Sequence, residues 1–160
     1  MNIGDRIVYP MHGAGEITGV EENEVGGISS SYYVFRLPMG SLKLMLPVDK
    51  TEEVGLRDLI KPAQVEEVVK ILQAESEQFQ GSWNKRFQMN LERLKTGNIL
   101  DAAAVARNLT RQNNKKKISS GEKRLLDLSR QILISELVYV CNKTPEEIEA
   151  WIDELIATTE

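Results

Sequence analysis

Apolar positions are spaced differently on the two sides of residue 60. Before it, short runs suited to strands alternate with glycine: Arg6-Ile7-Val8-Tyr9-Pro10, Gly15-Glu16-Ile17-Thr18-Gly19-Val20, Ser31-Tyr32-Tyr33-Val34-Phe35-Arg36-Leu37 and Leu42-Lys43-Leu44-Met45-Leu46-Pro47. Gly26-Gly27 and Met39-Gly40 mark turns between them. Short strands at this spacing predict a small, strongly curved sheet or barrel. Beyond residue 60 the spacing becomes helical. Val65, Val68, Val69 and Leu72 follow i, i+3, i+4, i+7 after Pro62, a residue suited to a first helical position.

Further helices follow in turn. Gly81-Ser82 reads as a break and an N-cap, with Trp83, Phe87, Leu91 and Leu94 running down the helix it starts. Gly97 ends that helix, and Asn98 caps a short one over residues 102–109. Asn113-Asn114-Lys115-Lys116-Lys117 reads as a polar loop. Ser119 and Glu122 have the spacing of a capping box before a long helix carrying Leu125, Leu128, Ile132, Leu133, Leu137 and Val140. Thr144-Pro145-Glu146-Glu147 opens a last helix that buries Ile148, Trp151, Ile152 and Leu155. The fold class is therefore α+β, a small β module followed by a compact all-α part.

Composition narrows the class. With 41% hydrophobic and 28% charged residues, the 160-residue chain has the make-up of a globular protein and enough length for two small domains. No apolar run reaches the roughly eighteen residues of a membrane span. The opening Met1-Asn2-Ile3-Gly4-Asp5 lacks the pattern of a secretory signal, so a cytoplasmic protein is expected. The single cysteine, Cys141, cannot form an internal disulfide and reads as a small buried hydrophobe among Leu137, Val138 and Val140.

Charge is unevenly distributed. The net charge is −4, but residues 81–130 hold 12 basic and 4 acidic side chains, a balance of +8. Residues 1–60 carry −4 and residues 131–160 carry −6. A basic block inside an acidic chain is either a phosphate-facing surface or a solvated helical face.

Catalytic and metal chemistry find little support. His12 is the only histidine and has no companion ligand set, so neither a metal nor another cofactor is expected. Gly13-Ala14-Gly15 is not followed by the Lys-Ser/Thr and helix of a phosphate loop, and these glycines suit a tight turn between the first two strands. Glu21-Glu22 and Glu52-Glu53 fall in expected turns. No nucleophile–base pattern marks an enzyme or a small-molecule substrate site.

Two features stay open on the residues alone. Trp83, just before Lys85 and Arg86, could wedge between base steps from a basic surface, or could top the core stripe of Phe87, Leu91 and Leu94. The run 42–47, ending in proline, suits either a sheet edge open to another chain's strand or an ordinary curled strand.

Gly4-Asp5-Arg6-Ile7-Val8-Tyr9-Pro10-Met11-His12-Gly13-Ala14-Gly15 resembles the opening signature of the CarD family of bacterial transcription regulators. Leu44-Met45-Leu46-Pro47 and Val54-Gly55-Leu56-Arg57 resemble the rest of that family's first domain. Trp83-Asn84-Lys85-Arg86-Phe87, Asn90-Leu91-Glu92-Arg93-Leu94 with Gly97, and Ser119-Ser120-Gly121-Glu122-Lys123-Arg124 resemble its helical domain. The likeness spans nearly the whole chain in order.

The resemblance implies a Tudor-like, SH3-like β domain over residues 1–60, related to the polymerase-interacting domain of transcription-repair coupling factors. It implies that this domain binds the β subunit of RNA polymerase by strand pairing through Leu44, Met45, Leu46 and Pro47. Residues 61–160 would form a helical domain that contacts promoter DNA at the upstream edge of the transcription bubble. There Trp83 matches a tryptophan that enters the minor groove, and Lys85, Arg86, Lys123 and Arg124 match basic positions facing DNA. The expected outcome is a more stable open promoter complex.

Other readings remain. A protein-interaction adaptor or methyl-lysine reader without DNA contact would use Tyr9, Tyr32, Tyr33 and Phe35 as a cage. A helix-turn-helix repressor would lie within residues 102–126, against which the length of the polar loop argues.

Overall fold

A computed structural model describes residues 1–158 and has two regions. The first is a five-stranded antiparallel sheet: β1 (Arg6–Tyr9), β2 (Gly13–Val25), β3 (Ile28–Arg36), β4 (Lys43–Pro47) and β5 (Arg57–Asp58), in spatial order β4-β3-β2-β1-β5. The second is five helices: α1 (Val65–Gln73), α2 (Trp83–Lys95), α3 (Ile99–Lys115), α4 (Ser120–Cys141) and α5 (Pro145–Ala157). The α+β class read from the sequence is the one observed. The last two residues of the expected 61–160 span lie outside the described residues.

Pleating fixes which side chains share a face. Ile7, Ile17, Phe35 and Leu37 form the sheet's core, with Leu44 and Tyr33 packed against it. The ladder shifts register between Ile17 and Gly19, a β-bulge that bends β2. Past the bulge, β2 and β3 continue as a long exposed hairpin turned at Gly26-Gly27. Glu21-Glu22, expected in a turn, therefore lies in β2. Glu22 accepts hydrogen bonds from Ser29 and Ser31 of β3, and Glu21 pairs with Lys43 of β4.

In the helical region α3 is central. Ala103 and Ala106 face a core with Val68, Leu72, Leu133 and Ile152, while Ala102, Val105 and Leu109 face a second core with Leu94, Leu125 and Leu126. Met39 packs against both the sheet core and the first helical core. Helix α3 runs to Lys115, beyond the predicted 109, so the polar loop shrinks to residues 116–119. Cys141 is half-buried at the end of α4, where burial raises its thiol pKa.

The sheet meets the helices along α4. Gln131, Ser135 and Tyr139 recur at i, i+4 and i+8 and so lie on one face. The Gln131 amide donates to the carbonyl of His12 (2.8 Å), Ala14 N–H donates to Ser135 Oγ (2.9 Å), and Arg6 stands 4.5 Å above the Tyr139 ring. Gly13 has φ +121°, and a Cβ there would strike Ser135 Oγ. At Gly15 a Cβ would lie 2.6 Å from the Phe35 ring. These glycines thus permit close packing as well as the turn read from the sequence. Deeper in the seam, Arg57 donates two hydrogen bonds to the fully buried Glu136 (2.7 and 2.8 Å) and one to the carbonyl of Gly97 (2.7 Å). Glu136 also accepts from Ile60 N–H at 2.8 Å.

Candidate nucleic-acid and polymerase interfaces

The first residue of α2 sits beside the cap of α4. Ser82 caps α2 by accepting from Lys85 N–H, and Ser119 caps α4 by accepting from Glu122 N–H. Trp83 Nε1–H reaches Ser119 Oγ at 3.2 Å and Glu122 Oε1 at 3.1 Å, joining the two helix starts. Each start contributes partial positive charge from unpaired N–H groups. Lys85, Lys116, Lys117, Lys123 and Arg124 are exposed on this side.

Trp83 remains 45% exposed, and its ring stacks on Phe87 with centroids 5.4 Å apart. Phe87, Leu91 and Leu94 carry the core stripe while Trp83 stands at its rim. Lys123 pairs with Asp127 at 2.8 Å, but both are more than half exposed, so the pair is worth little and the lysine leaves it easily. Arg86 is different. Its Nε and Nη2 donate to Glu122 at 2.9 and 3.0 Å, and this bond raises the arginine's pKa. The structure thus brings Trp83, Lys85, Arg86, Lys123 and Arg124 to one end of the helical region, with Arg86 set behind the others.

The basic block is less of a surface than its count suggested. Arg107 and Arg111 are each 3% exposed. Arg111 donates to the carbonyls of Leu72 and Ala74 at the end of α1 and of Ile156 in α5, groups that a helix end leaves without intrahelical partners. Arg107 donates to the carbonyl of Ile71 and to Glu77. Arg93 holds Glu77 through two bonds, and these lower the Glu77 pKa. Arg130 holds Asp153 at 2.9 Å. Sequence reading missed these roles because the acceptors lie outside the block.

Within the sheet, β4 is an edge strand, paired with β3 alone among the described residues. Leu46 is buried and Leu44 packs on the sheet core, whereas Met45, paired with Val34, lies on the opposite face. Pro47 closes the strand, where a missing N–H does little harm at an edge. The four residues singled out here therefore divide between core packing and an accessible edge.

The four aromatic residues of the reader alternative do not form one cage. Phe35 is fully buried, and Tyr32 points to the face opposite Tyr33 and Phe35. The four-residue connection 116–119 removes the length argument against a helix-turn-helix. Burial of α3 between the two cores argues against it instead. Among the described residues, no group of three or more His, Cys, Asp or Glu could hold a metal ion, and no helix is long and apolar enough to cross a membrane.

Comparison with known proteins matches both regions. Residues 1–60 match the CarD-like/TRCF RID domain, and residues 67–153 match the CarD C-terminal domain. The chain belongs to the CarD family. It is also 34% identical over 149 residues to "Putative transcription factor YdeB" of Bacillus subtilis (strain 168), covering 93% of this chain and 97% of that protein. CarD membership and this similarity support a transcription-related function, and neither match is to an enzyme family.

Proposed function

We propose that this CarD-family chain regulates transcription by gripping two things at once. Residues 1–60 bind the β subunit of RNA polymerase through the open edge of β4. Residues 61–160 contact promoter DNA without sequence preference, at the upstream edge of the bubble, and stabilise the open complex. The protein acts in the cytoplasm, where polymerase carries it to DNA. The observation that carries this reading is the half-exposed Trp83 at the junction of two helix starts, flanked by Lys85, Lys123 and Arg124.

The energetics favour such a division. Non-specific binding by a few cations gives dissociation constants of roughly 10⁻⁴–10⁻⁶ M at physiological salt. Tethering to polymerase raises the local DNA concentration toward about the millimolar range, so a weak contact suffices. Polymerase then supplies the address. An aromatic wedge binds best where a step is already opened or easily kinked, and that differential affinity stabilises the melted state. The acidic α5, with Glu146, Glu149 and Glu154 exposed, discourages DNA from binding that part of the surface.

Open-complex lifetime on polymerase holoenzyme tests the reading. Trp83→Ala should shorten the lifetime at a folding cost of about 1–2 kcal/mol, below the roughly 3–5 kcal/mol of a buried tryptophan. Met45→Glu should abolish the effect by lowering recovery with polymerase β. A folded Trp83→Ala protein with unchanged lifetime, or Met45→Glu co-purifying with β at the native level, would refute the corresponding half.

A further inference from the structure

The Trp83 ring is restrained on several sides by its own chain. Phe87 stacks on it, and a Cβ added to Gly121 would stand 3.6 Å from its Cζ2. Its N–H is shared by Ser119 and Glu122. Glu122 is 2% exposed, and both of its oxygens also bind Arg86. A glutamate three residues after a serine cap ordinarily turns back to the cap's own N–H. This one turns across to α2. A buried carboxylate is costly unless it is paired and hydrogen-bonded, and Arg86 with the indole provides both.

We propose that Glu122 is the positioning residue of Trp83, holding the indole in one orientation at the surface, and that Arg86 acts through Glu122 rather than on phosphate. The functional half of this inference rests on the reading of Trp83 as a DNA contact; the positional half does not. Freezing a mobile side chain on binding costs a factor of about 2 to 10 in affinity, and a ring already fixed avoids that loss. The arrangement also separates two kinds of cation. Lys85, Lys123 and Arg124 attract DNA, whereas Arg86 neutralises the group that holds the ring.

The test uses the full-length protein. Removing Glu122 alone would strand Arg86, so the pair is replaced together by Arg86→Met/Glu122→Leu, an apolar exchange that buried ion pairs often tolerate. Glu122→Gln serves as the conservative control, since it keeps an acceptor for the indole. Indole N–H exchange is followed by NMR, the Trp83 signal being identified by its loss in Trp83→Phe. Exchange should quicken by about tenfold in the pair variant, near the lower end of what a hydrogen bond to a charged group is worth, and change little in Glu122→Gln. Open-complex lifetime should fall by about 2- to 10-fold in the pair variant. The same exchange made in Trp83→Phe, which has no N–H to hold, should add nothing.

Unchanged indole exchange in a folded pair variant overturns the positioning role. An equal fall of lifetime in the Trp83→Phe background overturns action through Trp83. If Trp83→Ala leaves the lifetime intact, the DNA reading fails, and indole exchange still decides the positional half.

Discussion

Glu122 and Glu136 lie on the same helix, about 21 Å apart along its axis. Both are buried, and both hold an arginine from another element through two hydrogen bonds. The third partner separates them. Glu136 takes a backbone N–H, that of Ile60, and its arginine takes a backbone carbonyl, that of Gly97. Every group there is occupied by the chain itself, and the result is a joint between sheet and helices. Glu122 takes the N–H of a ring that stays half in solvent. The same ion pair thus makes a closed joint at one end of α4 and a mount for an exposed side chain at the other.

The strongest way to break the comparison is at the joint. Glu136→Ala would strand the Arg57 guanidinium and the Ile60 N–H. The expected loss is about 3 kcal/mol, at the low end for a broken buried pair because Arg57 is partly exposed. Urea unfolding would show it, and a loss below about 1 kcal/mol would mean that water replaces the carboxylate there.

At the other end, charge can be removed without touching the mount. Lys123→Ala/Arg124→Ala should leave stability within about 0.5 kcal/mol, as for most surface changes. The slope of log DNA affinity against log salt should flatten by up to about 2 units, near 0.9 per lost phosphate contact. An unchanged slope would identify these side chains as solvent-facing only.

A smaller effect sharpens the picture of the joint. His12 packs edge-on against Tyr9, with ring centroids 4.6 Å apart, and burial lowers its pKa below 6.5. The folded chain therefore resists protonation that the unfolded chain accepts near pH 6.5. Its contribution to stability is complete above that pH and is lost as pH falls through the lower folded value. His12→Gln should flatten the dependence of Tm on pH between about 7 and 5; an identical pH profile would count against the assignment.

Local signals were the legible ones. Ser82, Asn98 and Thr144 each cap the helix the sequence predicted them to start, and Gly26-Gly27 turns its hairpin. The edge position of β4 was one of two readings of a strand ending in proline. What could not be read depends on distant partners. Asn113 and Asn114 look like loop residues, yet α3 continues through them after anchoring Arg107 and Arg111 on the carbonyls at the end of α1. Glu21 to Glu24 suit strands poorly, but pairing with β3 extends β2 across them. Glu122 carried a local signal pointing the wrong way: its spacing announces a cap, while its side chain serves α2. At the candidate DNA surface, residue identities were legible but the order of layers was not. No periodicity distinguishes Arg86, bonded inward, from Lys85 beside it.

The joint at Glu136 also bears on synthesis. It ties residues 79 apart in sequence, and the contact from Ala14 to Ser135 spans 121. The sheet ladders need nothing beyond Asp58, so every sheet strand leaves the ribosome before any part of α4 has been made. During that interval Arg57 has no carboxylate from Glu136, and the strand face destined for α4 stays wet. Loop closure over such lengths must be met before the contact returns anything, so docking of sheet on helix belongs to the late events of folding.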